Sequence, residues 1–329
     1  MTSLLTGGAG FIGSHVSREL TKLGHQLIIL DDLSGGFEEN LPANITFVKG
    51  SITDQKLVAE LFQKYQFDYV YHLAAYAAEG LSHFIRRFNY ENNLIGSINL
   101  INESIKHKVK CFVFTSSIAV YGKGQLPMRE DLNPEPEDPY GIAKFAVEQD
   151  LKCAHEMFGL NYVIFRPHNV YGEYQNLGDK YRNVVGIFMN QLMQNKPLTI
   201  FGDGSQSRAF SYVGDIAPII ANSVNVPRAT NQVFNVGADL QFTVNDLAKE
   251  VCKAMGKEGH IRYVEARNEV AHAYSSHEKA MDVFGKTKTT SLAEGLQKMA
   301  QWAFHTGSKK STVFSNIEVT EKLPAVWVE

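Results

Sequence analysis

The chain has 329 residues, of which 44% are hydrophobic and 20% charged, a composition typical of folded globular proteins. It contains 32 basic and 35 acidic residues, and its formal net charge of −3 gives no basic field for nucleic-acid binding. No apolar run reaches the roughly 18–20 residues that a membrane span requires. Neither a nucleic-acid partner nor a membrane location is therefore expected.

The N-terminal segment enters a glycine-rich turn at Gly7, which leaves no room for a signal peptide. The three cysteines are far apart and show no paired spacing; they are Cys111, Cys153 and Cys252. This pattern is typical of reduced cysteines. We therefore expect a cytoplasmic protein with no metal site.

Short apolar runs alternate with helix-period segments through the first half of the chain. The predicted strands are Ser3–Thr6, Gln26–Leu30, Ile45–Val48, Tyr69–Leu73, Cys111–Thr115 and Tyr162–Phe165. The predicted helices are Ile12–Leu23, Gln55–Tyr65, Phe84–Lys106 and Tyr140–Phe158. Apolar strands separated by helices indicate a doubly wound α/β fold, in which helices cover both faces of a parallel sheet. Ligands of such folds bind at the carboxyl ends of the strands.

The pattern changes after Arg166, where Pro, Gly and Asn clusters become frequent. Further helices are expected at Val184–Gln194, Val244–Met255 and Leu292–Phe304. The expected organisation is a cofactor-binding domain (1–166, with 209–236 returning to it), a smaller mixed α/β substrate lobe (167–208 and 237–304) and a C-terminal extension (305–329). In the extension, apolar residues alternate from Val313 to Val319, which indicates an ordered segment whose role the sequence does not reveal.

A glycine-rich turn, Gly7-Gly8-Ala9-Gly10-Phe11-Ile12-Gly13, follows the first predicted strand and opens the first helix. Gly7 permits a tight turn, Gly10 lets the backbone approach a pyrophosphate, and Gly13 permits close packing of helix on strand. The helix N-terminus adds partial positive charge for the phosphates. Because the turn stands at the start of an alternating α/β pattern, it predicts dinucleotide binding in a Rossmann-type fold.

The second predicted strand is followed by Asp31-Asp32. A carboxylate at this position can accept hydrogen bonds from both adenosine ribose hydroxyls and would repel the 2′-phosphate of NADP. No arginine lies near it in the sequence. The pattern predicts NAD as the cofactor; the alternative is that Asp31 only caps the following loop.

A tyrosine and a lysine begin the helix that follows the proline-rich loop Asn133–Pro139. The four-residue spacing of Tyr140 and Lys144 places both side chains on one helix face, about 5–6 Å apart at Cβ. Ser117 follows a predicted strand at the ligand edge of the sheet. The tyrosine–lysine spacing alone is common, but together with a hydroxyl residue and a dinucleotide turn it indicates a catalytic group.

With these features the sequence resembles the extended short-chain dehydrogenase/reductase family, specifically its nucleotide-sugar epimerases. The resemblance covers residues 1 to about 304 and includes His72-Leu73-Ala74-Ala75 and Arg166-Pro167-His168-Asn169-Val170-Tyr171-Gly172. It implies that Tyr140 is the base for a sugar hydroxyl, that Lys144 lowers the tyrosine pKa, and that Ser117 hydrogen-bonds the same oxygen.

The resemblance also implies which residues contact NAD. They are Gly7, Gly10, Phe11, Ile12, Gly13, Asp31, Asp32, Ser34, Ser51, Ile52, Leu73, Ala74, Ala75, Asn92, Thr115, Tyr140, Lys144 and Pro167. The family usually has Asp where this chain has Ser51, so we expect a modest loss of contact with the adenine.

For the substrate, the resemblance implies a nucleoside-diphosphate sugar, with a UDP-sugar favoured. The family's asparagine and two arginines match Asn169, Arg208 and Arg267, and arginine forms paired hydrogen bonds with phosphate. Asn183 and Phe201 resemble positions beside the diphosphate and the base, and Ser117 completes the expected substrate residues. The family's Arg-Asp-Phe pattern is Arg208-Ala209-Phe210 here, which leaves the sub-family open. The segment Tyr76–Ser82 is expected to line the sugar pocket.

A homodimer is also implied, because in this family the helices Phe84–Lys106 and Tyr140–Phe158 of two subunits form a four-helix bundle. Apolar residues occur on more than one face of these helices; they include Ile95, Ile98, Ile101, Phe145 and Val147. The alternative is that both helices pack only on their own sheet.

Other functions stay open at this point. A 4,6-dehydratase needs an acid and a base directly after Ser117, where this chain has Ile118-Ala119, which cannot transfer protons. A GDP-mannose 3,5-epimerase-like enzyme, suggested by His168, needs a cysteine at Ala119. The remaining alternatives are a decarboxylating relative and an NAD-binding regulatory protein without catalysis. A 4-epimerase, which oxidises sugar C4 and returns the hydride to the opposite face, needs no further acid or base and is the predicted function.

Overall fold

The computed structural model describes residues 1–124, 126–267, 270–286, 289–311 and 313–327. Its strands are β1 (Thr2–Thr6), β2 (Gln26–Asp31), β3 (Thr46–Lys49), β4 (Tyr69–His72), β5 (Cys111–Thr115), β6 (Tyr162–Pro167), β7 (Val170–Tyr171), β8 (Leu198–Phe201), β9 (Ser207–Ala209), β10 (Ser211–Tyr212), β11 (Gln232–Val236), β12 (Gln241–Thr243), β13 (Ile261–Val264) and β14 (His272–Ala273). Within the described ranges, a seven-stranded parallel sheet has the order β11-β6-β5-β4-β1-β2-β3. The predicted doubly wound α/β class is confirmed.

Helices cover both faces of this sheet, as its apolar strands require. The helices are α1 (Phe11–Lys22), α2 (Gln55–Tyr65), α3 (Glu79–Ser82), α4 (Arg86–Tyr90), α5 (Gly96–Lys106), α6 (Pro139–Phe158), α7 (Val184–Met193), α8 (Val213–Asn222), α9 (Val244–Met255), α10 (Glu278–Phe284) and α11 (Leu292–Thr306). Helices α2, α5 and α6 contribute to the core on one face, and α1, α8 and α10 contribute to the core on the other. All five residues of β5 are buried between them.

The predicted helix Phe84–Lys106 differs from the structure in two ways. The observed helix starts two residues later than predicted, at Arg86. A π-helical turn at Glu91–Ile95 then separates α4 from α5. Two buried side chains are fixed around this turn: Asn89 donates to the Pro139 carbonyl at 2.8 Å, and Asn93 donates to Asn89 at 2.7 Å. A π turn holds one extra residue and is frequent at functional sites. Apolar periodicity cannot predict such an insertion, because it assumes a constant helical repeat.

The later part of the chain forms a third core, in which α7, α9 and α11 pack around Phe188, Leu247 and Leu296. In the described residues, three smaller sheets join β10 to β7, β13 to β8, and β9 to β12 and β14. Strand β11 returns to the central sheet and pairs with β6, placing Phe234 beside Phe165.

The C-terminal extension forms no strand in its described residues, although its apolar alternation is a strand pattern. Val313 is 52% exposed, whereas Phe314 and Ile317 pack against a cluster that contains Leu81 and Tyr181. Tertiary contacts thus order this segment without backbone pairing in a sheet. Of the helices described, none combines the length and apolarity needed to cross a membrane.

Candidate active site

One cleft of about 490 Å³ lies at the carboxyl ends of the central strands. Every residue that the sequence assigns to cofactor, substrate or catalysis lines this cleft, from Gly7 after β1 to Arg267 after β13. These positions are far apart in the sequence. Parallel strands bring them together because their carboxyl ends lie along one edge of the sheet.

The glycine turn leaves room for a ligand beside its backbone. Gly7 has a φ of +74°, and a Cβ there would lie 2.6 Å from the backbone nitrogen of Ala74. A Cβ at Gly13 would collide with the Gly7 carbonyl. Helix α1 begins after Gly10 without a side-chain cap, so its first amides remain available to an anion. This geometry fits the pyrophosphate of a dinucleotide.

Asp31 shapes the same turn. Its carboxylate accepts hydrogen bonds from the amides of Ala9 (3.0 Å) and Leu33 (2.8 Å). Burial raises the pKa of Asp31, and these backbone hydrogen bonds oppose that shift. Asp32 is exposed and accepts from the Ser34 amide at 2.8 Å. Asp31 therefore does cap the loop, and it also lines the cleft, where its carboxylate oxygens have further acceptor capacity for ribose hydroxyls.

The candidate catalytic pair lies at the start of α6. Asp138 caps this helix by accepting from the Gly141 amide at 2.9 Å, and Pro139 occupies the first turn. The Nζ atom of Lys144 lies 5.8 Å from the centroid of the Tyr140 ring. The same Nζ donates to the Thr115 carbonyl at 2.9 Å. The cap and the proline thus fix where the helix begins and, with it, which side chains face the cleft.

Burial opposes ionisation of both catalytic groups. It raises the pKa of Tyr140 well above its ordinary value, although a hydrogen bond with the Ser117 side chain acts in the opposite direction. Burial also lowers the pKa of Lys144 to about 7, against the attraction of Glu148. Tyr140 is therefore protonated in the protein alone. Its use as a base requires additional positive charge from a bound ligand.

A buried ion pair supports this helix from behind. Glu148, one turn after Lys144, accepts from Arg166 Nη2 at 2.5 Å and Nε at 2.9 Å. Ser116 also donates to Glu148 at 2.5 Å, and the Arg166 guanidinium lies 4.7 Å from the centroid of the Tyr121 ring. These contacts hold α6 against β6 and the end of β5.

The predicted substrate residues lie at the opposite end of the cleft. Arg208 donates to the carbonyls of Ser207 and Ala271 at 2.8 Å, and Arg267 stacks 4.7 Å above the ring of Phe201. Asn169 and Asn183 both have positive φ values, +41° and +63°, and line the cleft from loops. The arginines are therefore already held by the protein at the predicted diphosphate position.

Two predicted cofactor residues form local hydrogen bonds within the cleft wall. The Ser51 hydroxyl lies 2.8 Å from that of Thr53, and Asn92 donates to the Phe88 carbonyl at 2.9 Å. In contrast, the buried hydroxyl of Thr115 has no hydrogen-bond partner among the residues that the structure describes. An unpartnered buried hydroxyl at the cleft fits a site that a polar ligand completes.

Sequence reasoning missed Arg182. Its guanidinium donates to Asp179 at 2.5 Å and lies 4.8 Å from the centroid of the Tyr76 ring. A Cβ at Gly35, on the cofactor side, would lie 3.2 Å from it. The three-residue spacing of Asp179 and Arg182 predicts an ion pair, but only the fold places that pair between the two ends of the cleft.

His168, which in the sequence suggested a GDP-mannose 3,5-epimerase-like enzyme, is buried in the wall of the cleft. Its Nδ1 is 3.0 Å from the Ala209 carbonyl, and its Nε2 is 3.0 Å from Nε2 of His277. Burial, with His277 beside it, lowers the pKa of His168 to about 3. The His277 Nδ1 in turn donates to Asp239 at 2.6 Å. His168 is therefore a neutral packed side chain rather than a proton donor near pH 7.

Comparison with known proteins identifies the family. The profile of the NAD dependent epimerase/dehydratase family matches residues 3–237, more than half of the chain. A putative UDP-glucose 4-epimerase of Methanocaldococcus jannaschii is 33% identical over 302 residues, which are 91% of this chain and 97% of that protein. A UDP-N-acetyl-alpha-D-glucosaminuronate decarboxylase of Bacillus cytotoxicus is 29% identical over 315 residues, 91% of this chain and 96% of that protein.

The fold agrees with these relatives. The crystal structure of UDP-glucose 4-epimerase with UDP-glucose from Thermotoga maritima matches with a TM-score of 0.88 at 35% identity, over 93% of this chain and 99% of that one. The relatives also include dTDP-D-glucose 4,6-dehydratases, so similarity alone does not select one reaction. The resemblance to nucleotide-sugar epimerases of the extended short-chain dehydrogenase/reductase type is confirmed, and the chain belongs to the NAD dependent epimerase/dehydratase family as an NAD-dependent enzyme.

Proposed function

We propose that this enzyme is a nucleotide-sugar 4-epimerase that acts on a UDP-sugar. The observation that supports this most directly is the composition of the cleft around Tyr140. Ser117 and Lys144 accompany the tyrosine, whereas Ile118 and Ala119, at the positions where a dehydratase needs an acid and a base, also line the cleft and cannot transfer protons. The site thus contains the proton-transferring groups that oxidation and reduction at sugar C4 require, and no acid–base pair for dehydration at Ile118 and Ala119.

In this proposal, Tyr140 removes the proton of the sugar 4-hydroxyl, and Ser117 hydrogen-bonds the same oxygen. NAD bound in this cleft would supply the hydride acceptor for C4 and then the hydride donor to the opposite face of the sugar, while Tyr140 returns the proton to the 4-oxygen. Lys144 keeps its position through the Thr115 carbonyl and stabilises the tyrosinate by its charge. An ammonium at about 5 Å supplies on the order of 3 kcal/mol at an effective dielectric of ~20. From the ordinary tyrosine value of ~10, a base active near neutrality needs a pKa about 3 units lower, or ~4 kcal/mol, and burial of Tyr140 adds to this requirement, so Lys144 and the nicotinamide charge are needed together.

The substrate end supplies cations for the diphosphate. Arg208 and Arg267 line this end, and Asn169 adds a side-chain amide. The carbonyls that hold Arg208 fix its guanidinium, which reduces the entropy lost on binding. Phe201, under the Arg267 guanidinium, offers an apolar surface for the base. We propose that these residues make the substrate lobe the binding site of the nucleotide.

The charges beside Tyr140 favour an uncharged sugar. Glu79 and Asp138 both act on Tyr140 as negative neighbours. Arg182 also acts on it, but its guanidinium is already paired with Asp179. A uronate carboxylate would meet these two carboxylates, so we propose that kcat/KM is lower for UDP-glucuronate than for a neutral UDP-sugar.

We also propose a homodimer through α5 and α6. Ile95, in the π turn directly before α5, is 53% exposed, and Ile142, on α6, is 40% exposed. Two residues that the sequence offered for the interface belong instead to the core of the subunit: Ile101 is 1% exposed and Val147 is fully buried. Light scattering at micromolar concentration should give twice the 36.7 kDa subunit mass, and a monomer would contradict the proposal.

A panel of sugar nucleotides tests the function. The purified enzyme is incubated with neutral UDP-sugars, UDP-glucuronate, dTDP-glucose and GDP-mannose, and the products are identified by NMR. We expect C4 epimers of a neutral UDP-sugar, without loss of water or carbon dioxide. A 4-keto-6-deoxy product would instead show a dehydratase, and a pentose formed with carbon dioxide would show a decarboxylase.

A further inference from the structure

We propose that the C-terminal strap, residues 309–327, is part of the substrate site, and that Trp327 is a positioning residue for the bound nucleotide sugar. This inference rests on the proposed function. It follows from the path of the strap, which begins on the substrate lobe and ends behind residues that line the cleft.

The strap is anchored at its start on α7. The buried Asn190 donates to the Lys309 carbonyl and accepts from the Lys309 amide, both at 2.9 Å. Gln194, one turn later, donates to the same carbonyl at 2.8 Å. An asparagine that satisfies both backbone groups of one residue fixes that residue in position, so the strap starts from a defined point.

The middle of the strap is held by the segment that precedes α5. The ring of Phe314 packs against Tyr76 and Phe88, with centroid distances of 5.3 and 5.0 Å. Glu318 accepts from the amides of Arg87 and Phe88, both at 2.8 Å. Because these amides belong to the first turn of α4, Glu318 satisfies donors that have no partner within the helix. The strap therefore connects the substrate lobe to the loop proposed for the sugar.

Trp327 lies at the end of this path and is only 3% exposed. Its ring lies 5.5 Å from that of Tyr181 and 6.3 Å from that of Phe201, centroid to centroid. A Cβ at Gly80 would lie 3.2 Å from its indole and 3.7 Å from the Arg267 guanidinium. Three residues of the cleft wall, Tyr181, Phe201 and Gly80, thus meet around one indole, and Arg267 stacks on Phe201 beside them.

The position of Trp327 behind the substrate end of the cleft allows it to support residues that are proposed to contact the nucleotide sugar. Tyr181, Phe201, Gly80 and Arg267 all line the cleft, whereas Trp327 is not among the lining residues and packs on the first three of them. Gly80 belongs to the sugar loop, whereas Phe201 and Arg267 are proposed for the base and the diphosphate. Loss of the indole therefore removes a shared support from three parts of the nucleotide-sugar site. The glycine turn and Asp31 lie at the other end of the cleft, so NAD affinity should not change.

Titration with UDP tests this inference. Calorimetry is performed on the wild type, Trp327→Ala, a variant that ends at Gly307, and Val313→Ala as a control for an exposed apolar residue of the strap. We expect Trp327→Ala and the truncation to weaken UDP binding about tenfold, the scale of a packed aromatic contact. The control should match the wild type, and all four proteins should bind NAD equally. KM for the UDP-sugar should rise about tenfold while kcat changes less than about threefold.

Three outcomes would overturn the inference. Equal UDP affinity in the wild type and Trp327→Ala would show that the strap has no part in the site, while a wild type that does not bind UDP would contradict the proposed function as well. If the truncated chain does not fold, Trp327→Ala and Trp327→Phe decide the question. A parallel loss of NAD and UDP binding would indicate general destabilisation and would also refute a positioning role.

Tryptophan fluorescence gives an independent measurement. The sequence has two tryptophans, so Trp302→Phe leaves Trp327 as the only reporter. Addition of UDP to this variant should change the Trp327 emission with the affinity measured by calorimetry. Unchanged emission at saturating UDP would contradict contact between the strap and the occupied site.

Discussion

The two ends of the cleft are built in different ways. At the cofactor end, the backbone forms most of the surface: Gly7, Gly10 and Gly13 make a turn whose geometry depends on the absence of Cβ atoms. At the substrate end, side chains from distant segments form the surface, as Phe201 and Arg267 show. The first end depends on short-range backbone conformation, and the second on long-range packing.

This difference determines what each end can tolerate. A backbone turn fails when any of its glycines acquires a side chain, whereas a packed wall can change residue by residue and thereby change its ligand. We therefore expect cofactor choice to be the robust property of this enzyme and sugar choice the adaptable one. Substitutions at Tyr140 between the two ends, at the cofactor end and at the substrate end test this contrast separately.

The largest effect on turnover is expected at Tyr140, between the cofactor end and the substrate end of the cleft. Tyr140→Phe removes the hydroxyl that takes the substrate proton but retains the packed ring, so turnover should fall at least ~10²-fold. Affinity for NAD and UDP should stay within about twofold of the wild type, because neither end of the cleft loses a contact. Steady-state kinetics and calorimetry measure the two properties. Near-wild-type turnover would show that another group is the base.

A smaller effect is expected at the cofactor end. The wild type should prefer NAD over NADP at least about tenfold, since Asp31 and a 2′-phosphate ~4 Å apart would repel by up to ~4 kcal/mol before screening. Asp31→Ala should weaken NAD binding and narrow this preference. It also leaves the Ala9 and Leu33 amides without their acceptor.

Glu38→Ala provides the control for Asp31→Ala, because Glu38 is an exposed carboxylate that also follows β2 but is not among the residues that line the cleft. Titration of each cofactor into the apo-protein measures both variants. Equal NAD and NADP affinity in the wild type would show that Asp31 is a loop cap only.

The smallest effect is expected on the free energy of unfolding, through the contact between Asp239 and His277 near the substrate end. The hydrogen bond from His277 lowers the pKa of Asp239, so the folded-state value lies below the unfolded value of about 3.9. The resulting stabilisation is present above that unfolded value and is lost as the pH falls through the folded-state pKa. Because the Asp239 side chain is 66% exposed, solvent screening limits the effect to less than about 1 kcal/mol, or ~2 °C in Tm.

Asp239→Asn should therefore unfold at a slightly lower temperature than the wild type at pH 7, and the difference should be smaller at an acid pH below the unfolded value of about 3.9. Thermal unfolding followed by circular dichroism measures this, with Glu321→Gln as the control for an exposed carboxylate. If the Tm of Asp239→Asn were lower than that of the wild type by the same amount at both pH values, the ion pair would not be the cause of the difference.

The sequence predicts the two ends of the cleft unequally, for a physical reason. Glycine spacing and the Tyr140–Lys144 repeat describe contacts within one or two turns, so a regular backbone geometry translates them directly into structure. Trp327 contacts Tyr181 across 146 positions of sequence. No local pattern encodes that contact. The apolar alternation of the extension predicted an ordered segment but not the residues against which it packs. Asp31 was predicted as a ribose ligand, and its second role as acceptor for two amides depends on the folded turn.

The π turn at Glu91–Ile95 makes the length of this segment critical. Each residue of an α-helix turns the chain by about 100°, so deleting one residue here would leave a regular helix and rotate everything before it by that angle. Asn89 would then point away from the Pro139 carbonyl, which it now meets at 2.8 Å. Such a deletion would keep the composition, the apolar repeat and the helical circular dichroism spectrum almost unchanged. It would nevertheless detach the segment that bears Asn92 from the start of α6, which carries Tyr140 and Lys144. Insertions and deletions at this point should therefore be rarer among functional relatives than substitutions.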